Sequence, residues 1–272
     1  TMLDASKAFD VVAHGNLLID RYEHGVRDEH WAIMHDWNDH ITSQVKWGGV
    51  LSRKIRELMG LRQGGGLSTG QYKTYTNKNL LELEKHNLGM MVGTQYVGCP
   101  TCADDTALVH HNSVDMQTAI HVCDSFASKQ RFEFSQTKTK ILVHSNYSDK
   151  LRKPDLEASI WSLQNSKIEV VPQQEHLGIT RESNSTTIGE TMIEDRIQRG
   201  RRVVYSLFNA GMHGMNGLNP ATSVKLWVTY VMPAVIHSLE ATLLPPTAIQ
   251  KLEAFQRKTL KQLQYSPDCT SN

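Results

Sequence analysis

The hexapeptide Thr101-Cys102-Ala103-Asp104-Asp105-Thr106 places two adjacent carboxylates between two short apolar runs, residues 93–100 and 107–110. Apolar runs of this length that are interrupted by aspartates are typical of a β-hairpin with the acids at its turn. Two neighbouring carboxylates repel each other, and a divalent cation such as Mg²⁺ relieves that repulsion. An isolated Asp-Asp pair is more often a solvated turn. The stretch therefore predicts a hairpin, and a metal site only if other stretches of the sequence support it.

The composition indicates a folded protein with one large or two modest domains. The chain has 272 residues, of which 39% are hydrophobic and 21% charged, with a formal net charge of +1. A polyanionic partner would therefore be met by local basic patches and not by a global field. No apolar run approaches the roughly 20 residues of a membrane span, so we expect no membrane partner.

The cysteines favour reduced thiols in an intracellular, reducing compartment, either nuclear or cytoplasmic. Cys99 and Cys102 form a C-x-x-C, which is found in zinc sites and redox pairs. No second pair follows at zinc spacing, and an acidic turn follows where a redox pair would normally begin a helix. A zinc or redox protein therefore remains a distant alternative.

A short apolar strand at the start of the sequence ends on Asp4, a usual position for a functional side chain in a sheet. We expect Ser6 to cap the helix that follows. The run from Gly60 to Ser68 contains three consecutive glycines, which let a backbone or a flat ligand approach closely. Ser68 or Thr69 is expected to cap the next helix, an arrangement that suits phosphate or sugar contact, with a flexible turn as the alternative.

The second half of the sequence predicts further helices and one more hairpin. Ser113 is expected to cap a helix with a core-facing stripe, and residues 168–171 and 176–179 are expected to pair as a hairpin. From residue 190 onward the pattern is helical, with Arg196, Arg199 and Arg202 opposite an apolar stripe and Pro233 ending a later helix. Such basic faces suit a phosphate backbone or are simply solvated.

The order of these stretches resembles the reverse transcriptase domain of non-LTR (LINE-type) retrotransposons. The matching motifs are L-D-x-x-K-A-F-D at residues 3–10, G-V-R-Q-G-x-x-L-S-P at 60–68, Y/C-A-D-D at 102–105, the Lys motif at 138–140 and Y-L-G at 176–178. Among the departures from these patterns, Thr69 stands in place of a proline and Ser135 in place of an asparagine.

The resemblance implies an α+β fold, in which a polymerase palm (an antiparallel sheet backed by helices) is followed by an all-helical, thumb-like region. Residues 1–166 would form a partial palm without fingers, residues 167–184 a primer-grip-like hairpin, and residues 185–272 the thumb-like helices. The resemblance also implies that this sequence is truncated at its N-terminus, with fingers and endonuclease segments belonging to a longer polyprotein.

The implied activity is RNA-directed DNA synthesis, in which a deoxynucleotide triphosphate is joined to the 3′-hydroxyl of a DNA primer on an RNA template by two-metal phosphoryl transfer. The alternative is a catalytically inactive retrotransposon remnant with only nucleic-acid-binding or structural character. The implied site residues are Asp4, Asp104 and Asp105 for two Mg²⁺ ions (or Mn²⁺), Lys138 as acid for the leaving group, Ala5, Phe9, Gln63 and Gly64 for the nucleotide, and Arg199, Arg201 and Arg202 for nucleic-acid phosphates.

Overall fold

The computed structural model describes residues 1–144, 153–183, 188–241 and 244–266, which divide into two compact units. The first contains the described residues 1–143 and 153–172, and the second contains His144 and the described residues from Gln173 onward.

The helices of the first unit are α1 (His14–Glu23), α2 (Asp28–Asp39), α3 (Ser68–Lys85), α4 (Ser113–Gln130) and α5 (Lys153–Ala158). Its strands are β1 (Met2–Asp4), β2 (Thr42–Ser43), β3 (Lys46–Trp47), β4 (Val50–Leu51), β5 (Ile55–Arg56), β6 (Met91–Val92), β7 (Gln95–Tyr96), β8 (Thr101–Cys102), β9 (Asp105–Ala107), β10 (Lys140–Ile141), β11 (Ser162–Leu163), β12 (Ser166–Lys167) and β13 (Glu169–Val170). The second unit contains β14 (Gln173–His176), β15 (Ile179–Glu182), α6 (Ile188–Phe208), α7 (Pro220–Leu226), α8 (Met232–Ile236) and α9 (Pro246–Leu263).

A five-stranded sheet in the order β13-β10-β1-β9-β8 lies at the centre of the first unit. The middle strand, β1, pairs antiparallel with β9 on one side and with β10 on the other, while β13 joins β10 in parallel. The predicted hairpin of residues 168–171 with 176–179 is therefore wrong. Residues 169–170 belong to this sheet, and residues 173–182 form a hairpin of their own.

The core of the first unit lies between this sheet and the helices α3 and α4. Leu3 of the central strand is 2% exposed, and Ile120 and Cys123 of α4 are fully buried in the same cluster. The predicted apolar stripe of α4 is thus confirmed, but the cap is Asn112, whose side chain accepts a hydrogen bond from the Asp115 N–H at 2.8 Å. The α+β class predicted from the sequence is confirmed.

The first helix also begins later than predicted. Residues 6–11 form turns, and α1 starts at His14 after Ala13, which makes no side-chain cap. Ser6 instead donates its backbone N–H to the Glu133 carbonyl, at 2.8 Å. The segment after Asp4 is therefore held by backbone contacts with Glu133 and Phe134 and does not begin a helix.

The second unit combines a hairpin with packed helices. The turn of β14–β15 is formed by Leu177 and Gly178, whose φ angles of 52° and 74° match a type I′ turn. The helix α6 packs closely at Gly200, where an added Cβ would lie 2.5 Å from Cγ2 of Val235 and about 3.1 Å from the ring of Phe255. This glycine therefore lets α6, α8 and α9 approach one another.

Pro233 does not end its helix, contrary to the sequence prediction. A π-helical segment, Trp227–Val231, connects α7 to α8, and the Met232 N–H bonds to the Trp227 carbonyl five residues earlier. A proline has no N–H and its ring clashes with the carbonyl four residues before it. The wider π turn accommodates both effects, so the helix continues to Ile236.

Among the described helices, none combines the length and the apolar character needed to cross a membrane.

Candidate functional site

The predicted acidic hairpin is present, and its turn consists of Ala103 and Asp104. Cys102 pairs with Asp105 across the two strands, which leaves a two-residue loop. Ala103 has φ 56°, the left-handed region that a residue with a Cβ rarely adopts. A positive φ at the first turn position is a feature of type II′ hairpins. Left-handed strain of about 1–2 kcal/mol is thus held at the position before the two acids.

Strand pairing brings Asp4 beside the acidic hairpin. Asp4 lies directly opposite Asp105 in the antiparallel β1–β9 register, although the two residues are about a hundred positions apart. Directly opposed residues have Cα atoms about 4.5–5.5 Å apart and project from the same face of the sheet. Asp104 precedes Asp105 in the turn, and all three residues are half-buried. The three sequence-predicted acids therefore come together at one end of the sheet.

Lys138 contacts the first of these acids. Its Nζ lies 3.2 Å from Oδ2 and 3.5 Å from Oδ1 of Asp4. The loop that carries Lys138 is attached to β1, because the Ser135 N–H donates to the Asp4 carbonyl at 2.7 Å. The lysine is 69% exposed and the aspartate 27%, so the pair lies at the edge of solvent. The predicted grouping of Lys138 with the acids is thus observed.

The carboxylates fit a divalent cation that is completed by substrate oxygens. Oδ2 of Asp4 is buried and accepts no hydrogen bond within the described residues, although the lysine ammonium lies nearby. Those residues contain no group of three or more His, Cys, Asp or Glu side chains already arranged around one point. Mg²⁺ commonly takes one or two protein carboxylates plus phosphate oxygens and water, so a complete protein cage is not required.

Tyr72 is not among the residues that the sequence singled out for the site. The ring of Tyr72 is 3% exposed and stacks on Phe9 with centroids 4.8 Å apart and an interplanar angle of 22°. Burial raises the pKa of the Tyr72 phenol, and the charges of Asp104 and Asp4 raise it further. Tyr72 therefore supports the ring of Phe9, a predicted nucleotide-binding residue, and its phenol senses the charges of the two acids. The sequence did contain a clue to this position, because Tyr72 lies one helical turn after Ser68, the residue at which the glycine-rich loop enters α3.

The glycine-rich loop is fixed to the segment that follows Asp4. The Leu61 N–H donates to the Phe9 carbonyl at 2.7 Å, and a Cβ added at Gly60 (φ 97°) would lie 2.9 Å from the Asp10 carbonyl oxygen. Gln63 and Gly64 are exposed on this loop, where a ligand can reach them.

The start of α3 differs from the prediction that Ser68 or Thr69 caps it. Ser68 is the first helical residue, and its hydroxyl donates to the Arg62 carbonyl at 2.5 Å, which closes the loop on itself. The preceding residue, Leu67, makes no side-chain cap. The glycine loop is therefore a compact turn in which the helix N–H groups are left without a side-chain cap.

Ala5 and Phe9 follow Asp4 in the chain, and both pack in or against the core of the first unit. Ala5 is 6% exposed and bridges to Phe134, so a nucleotide contact at this position would have to come from its backbone. Phe9 is partly buried and keeps one ring face on Tyr72.

The arginines of α6 have different environments within the second unit. Arg196 was predicted on the polar face, but it is 2% exposed and donates to the Gly178 carbonyl. Arg199 binds Asp195 at 2.8 Å and Glu175 at 3.0 Å, so two carboxylates already occupy its guanidinium. Arg201 and Arg202 are exposed. Of the three arginines predicted to contact nucleic-acid phosphates, Arg201 and Arg202 are therefore accessible, and Arg199 is held by carboxylates.

The C-x-x-C cysteines do not form a reactive pair. Cys99 and Cys102 are both free thiols, the first buried and the second exposed. Burial raises the pKa of Cys99 to about 11, which opposes formation of the thiolate that redox and metal chemistry require.

Comparison with protein families gives an independent result. A family model described as reverse transcriptase (RNA-dependent DNA polymerase) matches residues 1–180, which is more than half of the chain and includes Asp4, the glycine loop, the acidic hairpin and Lys138. Comparison with curated proteins gives no match. The chain belongs to the reverse transcriptase family.

Proposed function

We propose that the chain is the RNA-directed DNA polymerase domain of a non-LTR (LINE-type) retrotransposon. The observation that carries the proposal is the β1–β9 register, which sets Asp4 directly opposite Asp105 with Asp104 in the adjoining turn. Substrates would be deoxynucleotide triphosphates, an RNA template and a DNA primer. The non-LTR assignment rests on the motif order from Asp4 to the hairpin at residues 173–182.

The acids would hold two Mg²⁺ ions, with Mn²⁺ as an alternative. Asp4 and Asp105 would contribute oxygens from one face of the sheet, with Asp104 beside them. When bound, such ions lower the pKa of the primer 3′-hydroxyl and neutralise charge on the pyrophosphate. The carboxylates themselves fix where the triphosphate and the primer end can meet, because they are held by a strand pair and a strained turn.

Lys138 would donate a proton to the departing pyrophosphate. In the free protein its ammonium neutralises Asp4 at 3.2 Å. A flexible, 69% exposed side chain can turn from the carboxylate to a phosphate. A positioned general acid contributes about 10²- to 10⁴-fold to rate.

The nucleotide would lie between the glycine loop and Phe9. Gln63 and Gly64 are exposed on a loop whose backbone is bonded to the Phe9 carbonyl, so the two elements keep a fixed spacing. A phenylalanine ring beside the sugar would collide with a 2′-hydroxyl, the group that separates ribose from deoxyribose. This arrangement would select deoxynucleotides.

The second unit would contact template–primer phosphates through α6 and α9. A groove of about 960 Å³ between these helices is lined in part by Arg201, Lys251 and Lys258. Lys251 is paired with Glu194 at 3.2 Å, so Arg201, Lys258 and the neighbouring Arg202 are the cations we assign to phosphate. Such contacts position a duplex without reading its sequence.

Primer extension tests the proposal. The chain is incubated with an RNA template, a DNA primer, deoxynucleotides and Mg²⁺, and Asp4→Asn and Asp104→Asn are compared with Asp36→Asn, an exposed acid of α2. We expect extension by the wild type and by the control. Each site variant should lose about 10²- to 10³-fold, the loss typical of removing one charge-stabilising group.

The second candidate is an inactive remnant that binds nucleic acid. It is favoured by one observation: the Lys138 ammonium occupies the position beside Asp4 where a cation would bind. Template–primer binding that is unchanged by Asp104→Asn, without extension in Mg²⁺ or Mn²⁺, would support this candidate against the polymerase.

A further inference from the structure

A two-stranded arm projects from the first unit between α2 and the glycine loop. The pair β2–β5 forms its base and β3–β4 its end, where Gly48 and Gly49 make the turn. The base is attached by the Glu57 N–H, which donates to the Ile41 carbonyl at 3.0 Å. Apart from the adjoining residues of the chain, no atom of the described residues lies within 4 Å of a Cβ built at either glycine, so the tip of the arm stands clear of them.

The arm carries an aromatic ring that takes no part in the core. Trp47 is 85% exposed, the highest value among the large hydrophobic side chains of the described residues. Its strand neighbour across the ribbon is Val50, which is 72% exposed on the same face. Because these side chains are exposed, they add little hydrophobic stabilisation to the folded free chain.

The charge of the arm is one-sided. Residues 42–56 contain four basic side chains and no acidic one, in a protein whose net charge is only +1. Arg56 is bound by Asp39 at the base of the arm. Within the described ranges no ion pair involves Lys46, Arg53 or Lys54. The arm thus carries, beside an exposed indole, three exposed cations without an ion-pair partner among the described residues.

This chemistry matches single-stranded nucleic acid better than a protein surface. Unpaired bases stack on exposed aromatic rings while basic side chains follow the phosphates, and such stacking does not depend on sequence. The centres of protein–protein interfaces are depleted in lysine. A base-paired duplex has its base faces covered by neighbouring pairs, so an indole gains stacking only from an unpaired strand.

We infer that the outer part of the arm, residues 45–54, binds a single strand of RNA or DNA, with a base on the Trp47 ring and phosphates on Lys46, Arg53 and Lys54. The inference deepens the proposed polymerase function, because a template contains an unpaired strand beyond the primer end. It rests on that function only for the identity of the strand, since binding needs no catalysis.

Fluorescence anisotropy on the full chain tests the inference, with labelled 12-nucleotide single-stranded RNA and DNA and a blunt duplex as probes. Trp47→Ala should weaken single-strand binding by about 5- to 150-fold and leave duplex binding unchanged, while Trp47→Phe keeps most of the affinity. Trp37→Ala, which removes another exposed indole (58%) from α2, is the matched control and should bind as the wild type does.

Salt dependence gives a second readout. Replacing Lys46, Arg53 and Lys54 together by Gln should reduce the slope of log Kd against log salt by about 2, since each phosphate contact on a single strand contributes about 0.7. Circular dichroism melting shows whether each variant is folded. Equal single-strand affinity of wild type and Trp47→Ala would overturn the inference, as would self-association through the arm without nucleic-acid binding.

The outcomes separate this inference from the polymerase proposal. If the wild type does not extend primers but Trp47→Ala still weakens single-strand binding, the arm binds nucleic acid and the polymerase proposal fails. If extension depends on Asp104 and Trp47→Ala binds normally, the polymerase stands and the arm has another role.

Discussion

The contact between Lys138 and Asp4 predicts that a charge-removing variant binds divalent cations more tightly. In Lys138→Met the ammonium that lies 3.2 Å from Oδ2 of Asp4 is gone, so a cation no longer competes with it. In water, two unit charges at this distance interact by about 1.3 kcal/mol. Exposed pairs measure about 0.2–1 kcal/mol, and this lysine is 69% exposed. A gain of about 1 kcal/mol corresponds to roughly fivefold in Kd.

The assay is calorimetric titration with Mg²⁺ and Mn²⁺, followed by single-turnover primer extension. Lys138→Arg keeps the charge but cannot release a proton, so its metal affinity should match the wild type. Both variants should lose about 10²- to 10⁴-fold in rate if the lysine is the general acid. Lys140→Met is the matched control, because it removes the same charge from the neighbouring strand, where Lys140 is paired with Glu169 at 2.6 Å.

Three results would refute this reasoning. Unchanged or weaker cation binding by Lys138→Met would mean that the ammonium does not compete at Asp4. An equal gain in Lys140→Met would point to net charge and not to the contact. Full activity of Lys138→Arg would exclude proton donation.

Three further predictions follow from packing and burial. Gly200→Ala should destabilise the chain by about 1–3 kcal/mol in urea unfolding, since the added Cβ would overlap side chains of neighbouring helices. Gly70→Ala is the control and should stabilise the chain by up to about 1 kcal/mol, because no described atom lies within 4 Å of a Cβ built there. Equal effects of the two variants would refute the close approach of the helices at Gly200. Tyr72→Ala should lower the deoxy-over-ribonucleotide preference by about 2- to 12-fold through loss of the ring stack on Phe9, and Tyr72→Phe should restore it; the ratio of kcat/KM values is the measurement. Burial raises the pKa of Cys99 from about 9 to about 11, so the unfolded chain releases this proton at a lower pH than the folded chain does. The stability that is present below pH 9 should therefore fall by up to about 1.4 kcal/mol per pH unit between pH 9 and 11. A Cys99→Ala variant whose stability falls with the same slope in that window would contradict this expectation.

Local chemistry was readable from the sequence where the interacting residues are close along the chain. The acidic hairpin around Asp104 and the apolar stripe of α4 were predicted because turn residues and helical spacing act over only a few positions. The motif order also predicted a reverse transcriptase, and the family model that matches residues 1–180 confirms that broader family.

Long-range contacts were decided only by the tertiary structure. No local pattern states that Asp4 lies opposite Asp105, that residues 169–170 add a parallel strand beside β10, or that Arg196 turns inward to the Gly178 carbonyl. Strand pairing and buried hydrogen bonds depend on which distant segments meet, and a helical period cannot identify a buried arginine with a backbone partner. The sequence by itself thus determined which acids, glycines and lysine are present and in what order. Packing determined which of them are in contact, because distant segments of the chain meet only when the complete hydrophobic core has formed.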